Sequence, residues 1–113
     1  MAIEDQLIQV TKETLVDLVN LRYEKLKNED KLNDEIEEFL NEVIPMQGVL
    51  TLPPSDEDMD IDVYEYNDNS GFGTEIRYLW FDDEESQLVL FCEAKTDTEK
   101  SKLTEFYIDT IDA

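Results

Sequence analysis

The sequence contains no histidine, one cysteine, three glycines and three prolines, and sets only 9 Lys and Arg against 30 Asp and Glu. Without histidine a Ser-His-Asp triad, a Cys-His pair and every His-containing metal site are excluded. A lone thiol, Cys92, makes neither an intrachain disulfide nor a thiolate metal cage. It stands in the apolar run Leu88–Cys92 and reads as a buried core thiol, which fits a reducing cytoplasm. Gly48, Gly71 and Gly73 do not form a phosphate-cradling loop. Met1–Asp5 is acidic where a signal peptide would be basic. No run reaches the roughly 18 apolar residues of a membrane helix. With a net charge of −21, the chain lacks the basic footprint that phosphate backbones and anionic membranes require. These absences point to a cytoplasmic protein with no direct contact to nucleic acid or membrane.

What is present suffices for a core. The 113 residues are 41% hydrophobic and 10% aromatic, which suits a single domain over residues 1–113 and not an acidic disordered tail. From Ile3 to about Lys27, Leu7, Ile8, Val10, Leu15, Leu18, Val19 and Leu26 recur at helical steps, with polar residues between them. Asn28–Lys31 reads as a turn. A second helix is predicted from Asn33, a favourable N-cap, with Asp34 and Glu35 in its first turn. Ile36, Phe39, Leu40 and Val43 line one face, and Pro45 and Gly48 end it, so the helices occupy about residues 3–44.

Residues from about 48 to 112 read as strands. Gly48–Leu52 is a short candidate before Pro53-Pro54. Ile61–Tyr66 is rich in β-branched and aromatic residues, and Asn67–Gly71 is a turn signal. Thr74–Phe81 is predicted to place Ile76, Tyr78 and Trp80 on one face and Glu75, Arg77, Leu79 and Phe81 on the other. Asp82–Ser86 reverses the chain, Gln87–Lys95 returns, residues 96–100 form a polar loop, and Leu103–Ile111 closes the series. Short polar links predict an antiparallel meander of four to five strands with two helices packed on one face, an α+β fold.

The acids are unevenly placed. Residues 32–76 contain no Lys or Arg at all, whereas residues 1–32 are nearly balanced. Asp56-Glu57-Asp58-Met59-Asp60-Ile61-Asp62 alternates carboxylates like the start of a calcium loop. Its sixth position is Ile61 where glycine is needed and its twelfth is Asn67 where glutamate is needed, so no metal site is assigned. Glu37 with Glu38, and the run Asp82–Glu85, could pair carboxylates for acid–base work. Hydrophilic helix surfaces and turns do not provide the burial such work needs. No catalytic, cofactor or metal residue is assigned, and no enzyme is expected. The aromatics Tyr64, Tyr66, Phe72, Tyr78, Trp80 and Phe81 cluster in sequence and suit cross-strand packing. Tyr64 and Tyr66 share a strand face with Asp62 and are the preferred exposed pair, aromatic anchors within a charged rim.

Leu50-Thr51-Leu52-Pro53-Pro54 followed by Ile61-Asp62-Val63-Tyr64-Glu65 resembles a small bacterial domain family of unknown function. Leu79-Trp80-Phe81-Asp82-Asp83-Glu84-Glu85-Ser86-Gln87-Leu88-Val89-Leu90 is similar to that family's Leu-Trp strand, acidic turn and alternating strand. Tyr107–Asp112 is similar to its last strand, so the likeness covers about residues 15–113. The resemblance implies an α+β fold and an association with toxin–immunity or mobile-element neighbourhoods.

The leading expectation is an acidic, non-enzymatic binding protein for a basic partner, a toxin or nucleic-acid-binding protein. An immunity protein or inhibitor of a nuclease toxin fits best. One alternative is a DNA mimic that occupies a DNA-binding groove. Another is an acidic structural or accessory domain whose charge serves solubility alone. Candidate partner-binding residues are Glu37, Glu38, Asp56, Glu57, Asp58, Asp60, Asp62, Tyr64, Tyr66, Asp82, Asp83, Glu84 and Glu85. The oligomeric state is left open.

Overall fold

Apolar spacing across the first 47 residues produces three helices, not two. In the computed structural model, which describes residues 2–112 and of Asp56 the backbone alone, helix α1 spans Ile3–Val19. It buries Leu7, Leu15 and Leu18 together with Thr11 and Thr14. Buried helical threonines need an acceptor, and each donates its hydroxyl to the carbonyl four residues back, Leu7 at 2.6 Å and Val10 at 2.8 Å. The expected helix to Lys27 breaks at Asn20–Arg22. Leu21 turns left-handed (φ 59°), with Leu21 N donating to Leu18 O and Arg22 N to Asp17 O, a Schellman cap. An unbroken helix would run about 37 Å, past the end of a strand of about 33 Å. The corner instead folds helix α2 (Tyr23–Asn28) back so that Leu26 is buried. Asp17, itself buried, ties the corner by accepting from Arg22 at 3.1 Å and Lys25 at 2.6 Å.

Helix α3 spans Asp34–Gln47 and starts as its sequence requires, with the Asn33 side chain accepting from Ile36 N at 2.8 Å. It continues through Pro45 to Gln47 with one helical bond forgone, since proline has no N–H to donate to the carbonyl four residues back, and Gly48 N closes the end on Ile44 O at 3.1 Å.

Seven strands follow: β1 (Leu50–Thr51), β2 (Asp60–Glu65), β3 (Phe72–Arg77), β4 (Trp80–Phe81), β5 (Glu84–Glu85), β6 (Val89–Thr96) and β7 (Leu103–Asp112). A 3-10 turn at Asp56–Asp58 precedes β2. The main sheet is antiparallel in the order β2-β3-β6-β7, and β1-β4-β5 form a small second sheet. The meander is thus interrupted once, by the hairpin β4–β5. The expected continuous strand Thr74–Phe81 stops at Arg77 because Tyr78 adopts φ 60°. That left-handed residue reverses the phase of the alternation. Ile76, Leu79 and Phe81 all reach the core, and Tyr78 is left 41% exposed. Burying Leu79 outweighs keeping the ladder regular.

Helix α1 packs over β2, β3 and β7, and α3 over β7, all on one sheet face. There the inward residues of three strands, Ile76 (β3), Leu90 and Cys92 (β6), and Ile108 (β7), meet Leu7, Leu15, Leu26 and Leu40. The Thr11 hydroxyl lies 3.1 Å from that of Thr74, a polar contact between helix and sheet. Cys92 is buried as expected, and that burial pushes its thiol up to about 12. Each sheet edge is protected: Lys31 O accepts from Ile108 N of β7 at 2.9 Å, and β2 carries Asp60, Asp62 and Glu65. Gln6 Nε2 donates to Ser101 O, placing the start of α1 at the β6–β7 turn. The carboxyl ends of α1 and α3 therefore lie at the opposite end, with the β4–β5 hairpin.

Candidate interface on the open sheet face

No helix covers the second face of the main sheet among the described residues. Strand alternation dictates what stands on it. In β2, Ile61 and Val63 pack against the core, so Asp60, Asp62 and Tyr64 point the other way. Register then extends each residue into a row across four strands. Tyr64 lies opposite Gly73, Gly73 opposite Glu93, and Glu93 opposite Tyr107. The next row is Asp62, Glu75, Phe91 and Thr110.

The first row is locked by shape. A Cβ on Gly73 would sit 2.4 Å from the Tyr64 ring, so glycine there is what lets the ring lie across the strand. Tyr66 meets Tyr64 edge to face, with centroids 5.7 Å apart. Glu93 then binds two phenols at once. Tyr66 donates to its Oε1 at 3.0 Å, and Tyr107 donates to its Oε2 at 2.7 Å.

This arrangement holds protons on the phenols. The bond to Glu93, with partial burial, pushes Tyr107 up to about 12. Burial and then Glu93 raise Tyr66, while burial and then Glu75 raise Tyr64. Asp109, the extra residue where the β6–β7 register shifts, is raised by burial and by Glu93. Arg77 pairs with Asp62 at 3.1 Å and Glu75 at 3.6 Å, and Lys95 with Glu105 at 3.5 Å. The face is therefore a half-buried aromatic patch whose carboxylates outnumber its cations. It offers flat rings, fixed hydroxyl groups and negative charge, the chemistry that receives Lys and Arg side chains.

Residues 15–113 match the family model described as a domain of unknown function, DUF7668. The chain belongs to that family. No curated protein and no solved structure matches it. Family membership names no chemistry for this DUF7668 chain.

The tertiary structure sorts the sequence candidates into separate places. Asp60, Asp62, Tyr64 and Tyr66 join the open face, although both tyrosines are half-buried rather than the exposed pair expected. Among the described residues the exposed aromatic is Tyr78. Glu57 and Asp58 are exposed in the 3-10 turn, where Ser55 donates to Asp58 at 3.0 Å, and the Asp56 side chain lies outside the described residues. Glu37 is paired with Lys27 at 2.9 Å and Glu38 is exposed, both on α3 in the helical layer. Asp82, Asp83, Glu84 and Glu85 are exposed on the β4–β5 hairpin, where Asp82 Oδ1 accepts from Val49 N at 3.1 Å. Glu75, Phe91, Glu93, Tyr107 and Asp109 were absent from the sequence candidates. Alternating burial along β6 places Glu93 on its outward side, and register brings two tyrosines to it.

Among the described residues no group of three Cys, Asp or Glu side chains could hold a metal ion, and no helix is long and apolar enough to cross a membrane.

Proposed function

We propose that this DUF7668 chain is a non-enzymatic binding protein that captures a basic protein on its open sheet face, as an immunity protein or inhibitor of a nuclease-type toxin does. One observation carries the reading: Glu93 orients Tyr66 and Tyr107 on an uncovered sheet face rimmed by Asp60, Asp62, Glu75 and Asp109. Tyrosines fixed before contact lose little entropy on binding, and their faces and hydroxyls suit Arg and Lys. The net charge of −21 speeds encounter with a cationic cleft and repels phosphate backbones. A reducing cytoplasm suits the buried Cys92 thiol.

The test is calorimetric titration with a panel of catalytically inactivated basic nuclease domains at low and high salt. Capture is expected to weaken steeply with salt, and the double variant Tyr66→Ala/Tyr107→Ala is expected to lose about tenfold or more in affinity. Binding that ignores both salt and the double variant refutes the proposal.

A further inference from the structure

At the end of the molecule where α1, α3 and the β4–β5 hairpin converge, an open apolar groove of about 500 Å³ runs between the two helix ends and β1. Leu18, Leu21, Tyr23, Ile44, Val49 and Leu50 line it. Among the described residues the large hydrophobics left exposed are Leu21 at 72%, Met46 at 80%, Val49 at 66% and Tyr78. Two of the four are in the groove wall, and Met46 follows its Pro45.

Leu21 is the unusual member. It occupies the left-handed cap position of a Schellman motif, where glycine or asparagine is the unstrained choice, and it presents an apolar side chain to water. Neither local backbone preference nor burial accounts for leucine there. The turn itself serves folding by burying Leu26, but glycine or asparagine would make the same turn, so the exposed leucine side chain points to a contact outside the chain.

Electrostatics select the occupant. Neither α1 nor α3 carries a basic residue in its last turn, so the negative dipole end of each helix, though its carbonyls are capped, has no cation of its own to offset it. The exposed Asp82 stands at its edge, with Oδ1 accepting from Val49 N and its carboxylate beside Gly48, and the exposed Asp83, Glu84 and Glu85 continue the same hairpin. The nearby Arg22 guanidinium is engaged by Asp17. A second copy would bring another such acidic rim, and another −21, against the first. We infer that the groove receives a segment of the basic partner whose apolar residues are flanked by Lys or Arg. The inference rests on the reading of the partner as basic, and it adds a contact on a different surface from the tyrosine face.

The probe is a 14-residue helical peptide with one leucine face and one lysine face, titrated by calorimetry at near-physiological salt. Its two counterparts replace Lys by Glu or Leu by Ser. The Lys/Leu peptide is expected to bind, and each counterpart to bind about tenfold more weakly or worse. Leu21→Asn is expected to weaken the Lys/Leu peptide about tenfold with an unchanged or higher melting temperature, because asparagine tolerates the left-handed backbone. Val49→Ser, at an exposed site, is the second variant and is expected to act in the same direction. Equal binding of the Glu/Leu peptide, or full binding by both groove variants, overturns the inference. So does a dimer in sedimentation that Leu21→Asn dissolves, which would assign the groove to a second copy. If Tyr66→Ala/Tyr107→Ala abolishes nuclease capture while groove variants leave capture intact, the groove inference falls and the proposed function stands. If groove variants alone reduce capture, the tyrosine-face reading falls instead.

Discussion

Replacing Glu93 by glutamine removes the charge shared by two phenols while leaving an oxygen within their reach. In the folded chain the Tyr107 hydroxyl donates to Glu93 at 2.7 Å, and the bond with partial burial pushes its pKa from 10.0 up to about 12. A rise of that size corresponds to at most about 2.7 kcal/mol of preference for the protonated form. Because Tyr107 is only half-buried, solvent screening reduces the share available to stability to about 1 kcal/mol. A phenol whose folded pKa lies above its unfolded one adds stability that is complete below pH 10. That stability is lost as pH rises from about 10 through about 12. Tyrosinate absorbance against pH, measured on wild type, Glu93→Gln and Tyr107→Phe, reads the titration directly. Urea unfolding at pH 8 and near pH 11 reads the energy, in the same three proteins. Glu93→Gln should bring a late-titrating phenol back toward pH 10 and flatten the loss of stability reached by pH 11 by about 0.5 kcal/mol, half of the full effect. Tyr107→Phe should remove one late-titrating phenol and leave those of Tyr66 and Tyr64, which burial also raises. A wild-type Tyr107 that titrates at its ordinary value, or a late step indifferent to Glu93→Gln, would refute the carboxylate as its cause.

Further outcomes follow from the core, the corner and the hairpin. Leu40 is fully buried beneath α3, and Leu40→Ala is expected to cost about 2–5 kcal/mol, read as a lower urea midpoint with unchanged slope. Burial raises the Asp17 carboxyl, but Lys25 and Arg22 outweigh it and hold the pKa below 3.8. Its stabilisation is therefore present above pH 3.8 and lost as pH falls through the lower folded value. Asp17→Asn should cost about 1–2 kcal/mol at pH 7 and diminish that acid-side loss, by urea unfolding at pH 7 and pH 3. Asp82 and Asp83 both have positive φ in the two-residue β4–β5 turn, the geometry that prefers glycine second. Asp83→Gly keeps the backbone N–H bonded to Thr51 and should add about 0.5–1 kcal/mol, seen as a higher melting temperature.

Much of the architecture was legible because its signals are short-range. The Asn33 cap, the apolar face of α3 and the turns at Asn67–Gly71 and Asp82–Ser86 follow from residues within a few positions of one another. The misreadings fall at left-handed non-glycine residues. Leu21 ends α1 early and Tyr78 ends β3 early, and neither residue type announces positive φ. Both give up local regularity so that Leu26 and Leu79, farther along the chain, become buried. The candidate face was half legible. Asp62, Tyr64 and Tyr66 stand in one alternating strand, but Glu93 and Tyr107 come from strands 27 and more residues away.

From composition and periodicity alone come the absence of histidine chemistry, the burial of Cys92, the α+β class and the excess of acid. Each depends on residue type or on spacing within a single helix or strand. Tertiary structure alone decided which acids share a surface. Strand register brought Glu93 between Tyr66 and Tyr107, and β1–β4 pairing brought Asp82 onto the backbone that follows α3. Register and left-handed turns are set by pairings far apart in sequence, where one residue's shift moves a side chain to the opposite face.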